Sequence, residues 1–283
     1  MKIGLVLCGG MAKGAYQIGA LKAINQFIPF GEIKYISCAS VGVLNGYAFA
    51  TNNLDRAEQM WKTCCDNGSR FLISQMLKST LLQQNIASLY DPEKPLEHPF
   101  YTSLMDINRA NVVYKDLSAV PEEKVARYLR ASVAMPIYNR AVTVEGTAYY
   151  DGAMIDNIPI YPLLEHDLDY ILCIYFDDIC YKFENGRVDK KVIKISFPSE
   201  TLLRQSVLFE QESIDRMIKS GYDRTMHILK SVFFEGYDNL DYIYDSIAYM
   251  NRTSPNSRLR ITGDVLVTNL NKVTQRLIKR KIL

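Results

Sequence analysis

No apolar stretch of this 283-residue sequence approaches the ~18 residues that a membrane-spanning helix requires. An excess of one charge is missing too: 33 Lys and Arg stand against 31 Asp and Glu, a formal net charge of +2. That balance offers no strongly basic face, so no nucleic-acid partner is expected. Cysteine is sparse. Cys8, Cys38, Cys64, Cys65, Cys173 and Cys180 form no CxxC pair and no His-linked ligand spacing. They read as reduced thiols, with neither a disulfide framework nor a metal site. No metal and no cofactor are expected. Met1-Lys2 runs straight into IGLVL and then Cys8-Gly9-Gly10, which is not a secretory-signal pattern. The expected setting is therefore cytoplasmic, and any membrane contact peripheral, at the inner face. For the same reason Asn251-Arg252-Thr253, a glycosylation pattern, reads as coincidence. Internal repeats and low-complexity segments are absent. What is present, 48% hydrophobic and 23% charged residues, excludes a disordered or collagen-like chain.

The order of elements points to an α/β fold with a parallel sheet. Residues 3–7 form a short apolar strand that stops at glycine. Ile18, Leu21, Ile24 and Ile28 then recur at helical spacing up to Pro29. A second strand at 35–39 leads into a helix at 41–50. Residues 52–110 read as a helical insertion, broken by Pro92, Pro95 and Pro99. Its apolar residues suit either a helix-on-sheet core or an acyl groove. Pro121 opens a further helix. Glu145-Gly146 sits between two short β-rich runs as a hairpin turn, and 170–176 and 192–197 read as buried strands. Residues 198–283 read as a mainly helical C-terminal extension packed on a core at 1–197. Its long helix at 202–234 is expected to be interrupted near Gly221. A basic amphipathic tail, with Lys272, Arg276, Lys279, Arg280 and Lys281 among Leu277, Ile278, Ile282 and Leu283, ends the sequence. Such a tail can dock on anionic lipid or remain a solvated helix end.

Three short blocks carry chemistry. The first, Cys8-Gly9-Gly10-Met11-Ala12-Lys13-Gly14, lies between a strand and a helix, where exposed N–H groups and the helix N-terminus suit an anion. It matches neither the phosphate-loop nor the dinucleotide pattern. The second, Cys38-Ala39-Ser40-Val41-Gly42, has the small residues that a nucleophile elbow needs, although Ser40 would serve equally as a helix N-cap. The third is Tyr150-Asp151-Gly152-Ala153, followed by Asp156-Asn157-Ile158-Pro159. An acid before glycine fits a functional loop or an ordinary turn. Together the blocks suggest an activated serine with an oxyanion hole. His98, His166 and His227 are the only histidines. His166 or His227 could complete a Ser-Asp-His order, but each fits a packing or surface role, which leaves Asp151 the better base.

In these blocks, GLVLCGGMAKGAYQIGAL, CASVGVLNG and RASVAMP with YYDGAMIDNIP, the sequence resembles the patatin-like phospholipase family. The resemblance frames residues 3 to about 176. It implies a three-layer fold with a mostly parallel sheet between helices. It also implies a lipid acyl hydrolase of phospholipase A type that works through a Ser–Asp dyad without metal. Ser40 would be the nucleophile and Asp151 the base. Gly9, Gly10 and Met11 would be the oxyanion hole, supported by Lys13, Gly14, Gly42 and Gly152. The implied partner is a lipid or other acyl ester. Two departures stand out: Met11 replaces the family's third loop glycine, and Cys38 its first elbow glycine. A side chain at residue 11 is expected to resist a positive φ. A weakened member that binds lipid or protein, and a non-lipid esterase or thioesterase, are the alternatives.

Overall fold

The computed structural model describes residues 1–63, 71–72, 80–136, 138–183, 185–197, 208–209 and 211–260. β1 (Ile3–Leu7) leads through a 3-10 turn (Met11–Lys13) into α1 (Gly14–Phe27). β2 (Ile33–Cys38) is followed by α2 (Val41–Ala50), α3 (Leu54–Thr63), β3 (Phe71–Leu72) and α4 (Thr80–Leu89). Next come β4 (Phe100–Asp106), β5 (Asn111–Asp116), α5 (Glu122–Ala131), β6 (Val142–Val144) and β7 (Thr147–Asp151). β8 (Tyr170–Tyr175), β9 (Cys180–Phe183), α6 (Gly186–Asp189) and β10 (Val192–Ser196) complete the first two thirds. β11 (Leu208–Phe209), α7 (Gln211–Val232), α8 (Leu240–Thr253) and β12 (Ser257–Arg260) follow.

The main sheet has the order β10-β8-β1-β2-β4-β7-β6, with β5 also paired to β4. β10, β8, β1, β2 and β4 run parallel, while β5 and β7 are antiparallel to β4. This is the expected α/β architecture, and the described C-terminal region is largely helical. β1 is apolar throughout because both of its faces are covered. Its side chains alternate between two clusters. Ile3, Leu5 and Leu7 enter the larger one with Ile18, Leu44 and Ile214, and Val6 and Cys8 enter a smaller one with Ile158, Leu163 and Leu168. At the β6–β7 hairpin Glu145 and Gly146 have φ of 50° and 80°, the pair of positive values that a tight type I′ turn requires.

Two expectations need correction. Residues 52–110 are not helical throughout, because Phe100–Asp106 is a strand of the main sheet. Its Phe100, Thr102, Leu104 and Asp106 are buried at a period of two, with Ser103 buried between them on the other face. The apolar residues of α3 and α4, Ala57, Met60, Trp61, Ile86 and Leu89, belong to the core cluster. Nor does Gly221 interrupt its helix, since α7 runs unbroken through it. Gly221 instead lets two backbones meet. A Cβ there would lie 2.0 Å from the Tyr16 carbonyl oxygen in α1, and one on Gly19 would lie 1.9 Å from that of Ile218. Only glycines permit so close an approach. Gly221→Val is therefore expected to lower stability by roughly 3 kcal/mol or more, as overpacking against backbone does. A thermal melt checks this, and an unchanged melting temperature would mean that α7 is not held to α1 in this way. The basic tail lies outside the described residues, as do the side chains of Cys64 and Cys65.

Candidate active site

The strand register brings the three blocks together. β1 and β2 are parallel with Leu7 opposite Cys38, so the glycine loop and the Ser40 turn leave the sheet side by side. Cys38 faces Thr102 in β4. Leu104, two residues on, is thus level with Ser40, and Leu104 faces Asp151 at the end of antiparallel β7. The constellation lies beyond the C-terminal ends of parallel strands, where α/β proteins build their sites.

Ser40 has φ 53° and ψ −133°, a region that side chains other than glycine's avoid. Its side chain makes no cap hydrogen bond to α2, which sets aside the N-cap role. It acts instead on the Asp151 carboxylate, whose pKa it pulls down. The turn is held by Ala39 N–H to Leu7 C=O at 3.0 Å and Gly42 N–H to Ala39 C=O at 3.0 Å. Gly42 permits it, because a Cβ there would sit 2.7 Å from the carbonyl oxygens of Leu7 and Cys8.

Asp151 is 2% exposed and accepts the Ala153 N–H at 2.9 Å. Burial pushes its carboxyl up to about 7, against the opposing pull of Ser40 and of the Ala153 N–H. Gly152 lets β7 close on β4, since a Cβ would lie 2.4 Å from the Ser103 carbonyl carbon.

In the glycine loop each carbonyl is engaged. Cys8 C=O accepts Gln17 Nε2 at 2.8 Å, Gly9 C=O accepts Asn157 Nδ2 at 3.2 Å, and Gly10 C=O accepts the Lys13 N–H at 3.1 Å. In a trans peptide the next N–H points the opposite way. The N–H groups of Gly9, Gly10 and Met11 are thereby turned from these anchors, and among the described residues no protein acceptor takes them up. A buried relay fixes Gln17: Asn45 Nδ2 reaches Gln17 Oε1 at 2.8 Å, and Trp61 Nε1 reaches Asn45 Oδ1 at 2.9 Å. Sequence patterning missed this relay. Its one visible signal is a Gln and an Asn on buried faces of otherwise apolar helices. Gly14 also accepts from Asn45 at 2.9 Å and packs against the Trp61 ring.

Met11 adopts φ 54° despite its side chain, so the expected resistance is overcome and its N–H keeps a place in the loop. The Phe176 ring fills the space beside Gly10, where a Cβ would lie 2.3 Å from it. The Lys13 ammonium stands 5.7 Å from the centre of that ring, and burial lowers its pKa. Cys38 and Cys8 are fully buried, and burial pushes both thiols well up, so they remain protonated. Cys38 Sγ occupies the contact that a side chain on Gly46 would need.

The histidines are elsewhere. His166 stacks on Tyr35 with ring centres 3.9 Å apart and meets Tyr101 Oη at 3.0 Å. His227 lines a cavity of about 300 Å³ between β10, α7 and α8, which contains no residue of the three blocks. His98 lines a small pocket together with Phe30 and Phe49. Among the described residues no cluster of His, Cys, Asp and Glu could hold a metal ion, and no helix is long and apolar enough to cross a membrane.

Comparison with known proteins shows the family and the fold. The profile of the patatin-like phospholipase family matches residues 5–164, more than half of the chain. The chain belongs to the patatin-like phospholipase family. Lysophospholipase NTE1 of Cryptococcus neoformans var. neoformans serotype D is 28% identical over 182 residues, covering 61% of this chain and 11% of that protein. The chain thus spans only a small part of its curated relative. The patatin-like chain also shares its fold with VipD from Legionella pneumophila, with a TM-score of 0.50 at 14% identity over 88% of this chain and 74% of that one. The type III effector ExoU aligns with a TM-score of 0.43 at 16% identity over 81% of this chain and 53% of that one.

Proposed function

We propose that this patatin-like protein cleaves acyl esters of lipids, as a phospholipase A-type hydrolase, through Ser40 and Asp151. The observation that carries the reading is the strand register that brings the strained Ser40 turn level with the buried Asp151 at the end of β7; burial pushes that carboxyl up to about 7. An ordinary aspartate is a weak base; one poised near neutrality suits proton transfer at physiological pH. Asp151 takes the proton of Ser40 Oγ as that oxygen attacks the ester carbonyl. The N–H groups of Gly9, Gly10 and Met11 hold the tetrahedral oxyanion. Collapse breaks the ester C–O bond, and the departing alcohol takes the proton from Asp151. Water then gives its proton to Asp151 and attacks the acyl-serine. The fatty acid leaves, and Ser40 recovers the proton. The C-terminal tail is a candidate for the membrane contact that such a substrate requires, with a cytoplasmic setting.

Purified protein is expected to release fatty acid from phospholipid or lysophospholipid vesicles at least roughly tenfold faster than it hydrolyses short-chain esters and thioesters. A panel of acyl chain lengths measures this, and the reverse order would favour a non-lipid esterase. One departure favours a weakened, lipid- or protein-binding member: Met11 puts a side chain where the family has a glycine in the proposed oxyanion loop, and that side chain would crowd an acyl group there. Binding to vesicles without any ester turnover would identify that alternative.

A further inference from the structure

The third block contains a second buried acid that the proposed reaction does not use. Asp156 is 3% exposed, and its carboxylate has three partners. Arg260 Nη2 donates to Oδ1 at 2.6 Å, Tyr114 Oη donates to Oδ2 at 2.6 Å, and the Ile158 N–H reaches Oδ1 at 3.3 Å. Arg260 comes from 104 residues further along the chain. It closes β12, which pairs in parallel with β9, and its guanidinium packs 5.6 Å from the Tyr181 ring centre. Arg260 lies well outside residues 5–164 that carry the family.

Asp156 touches the proposed machinery on both sides. Its N–H donates to the Gly152 carbonyl at 3.0 Å, directly after Asp151. Asn157, the next residue, holds the Gly9 carbonyl at 3.2 Å and so helps set the direction of the Gly10 N–H. The geometry points to Arg260 as a positioning residue: by clamping Asp156 it fixes the turn that aims Asp151 at Ser40 and anchors the glycine loop. A buried carboxylate stripped of its cation changes protonation or moves, and a shift of about 1 Å at a reacting group can cost roughly 100-fold in rate. This inference rests on the reading of Ser40 as nucleophile and of residues 9–11 as oxyanion donors.

The test is the rate at which a long-chain fluorophosphonate bonds to Ser40, followed by intact mass in wild type, Arg260→Met, Arg260→Lys and the double variant Arg260→Met/Asp156→Asn. Replacing both members of a buried pair is far gentler on folding than removing one, so the double variant separates positioning from stability. Wild type is expected to label at Ser40. Arg260→Met is expected to slow by roughly 10- to 100-fold, with Arg260→Lys recovering part of the rate. The double variant is expected to melt close to wild type yet remain at least roughly tenfold slow. A double variant that labels as fast as wild type would overturn the positioning role and leave the Ser40 reading intact. A wild type that never labels at Ser40 would overturn that reading, and the inference with it.

Discussion

Ser40→Ala is expected to reduce ester turnover by roughly 10⁴- to 10⁶-fold, the scale on which hydrolases lose their nucleophile. Any remaining rate would come from the oxyanion donors and substrate binding alone. The fold should persist, because alanine keeps the Cβ and Ser40 makes no cap bond to α2, while losing the hydroxyl's pull on Asp151 leaves that carboxyl's pKa higher still. A second substitution exposes the strain in the turn. At φ 53° and ψ −133°, Ser40→Gly is expected to be more stable than Ser40→Ala by about 1 kcal/mol, since glycine enters that region freely while adding some chain entropy. Paired melts check the difference. Equal stability would mean that the turn carries no strain, and turnover retained in Ser40→Ala would remove Ser40 as nucleophile.

Asp151→Asn is expected to abolish turnover almost as completely, because an amide cannot take the Ser40 proton. The wild-type rate should rise with pH through about 7 as Asp151 ionises. Stability should move the opposite way. The folded carboxyl at about 7 lies above its unfolded value near 3.8. Between those values the folded chain holds a proton that the unfolded chain has released. Raising the pH from about 4 to about 7 therefore weakens the fold, by an amount on the order of a few kcal/mol. Asp151→Asn removes that dependence and is expected to raise the melting temperature at pH 8 while ending activity. Melts across pH in both proteins check it. A wild-type profile as flat as the variant's would mean that Asp151 is not held near neutrality by burial.

The sequence made the opening of the fold easy to read. β1 is a run of apolar residues cut off by glycine, and α1 repeats at spacings of three and four, so period alone separates strand from helix. β4 escaped because it follows three prolines within a stretch of helical patches. Its assignment depends on a place beside β2 that only the folded sheet supplies. Gly221 was misread for a related reason. Glycine weakens a helix locally, but here it is required by the backbone of α1 packed against it. At the site, the three blocks announced residue types and not geometry. Nothing in Cys38-Ala39-Ser40 announces the φ of Ser40, and nothing in the last block announces that Asp156 meets a cation 104 residues away. Long-range ion pairs and backbone strain leave no local period to detect.

The central claim, that Ser40 is a nucleophile activated by Asp151 alone, is met most directly by mapping a fluorophosphonate adduct on the whole protein at pH 8. The expected result is one adduct on Ser40 in wild type, none on Ser40→Ala, and a strongly slowed reaction in Asp151→Asn. An adduct on another residue, or equal labelling of wild type and Ser40→Ala, would contradict it.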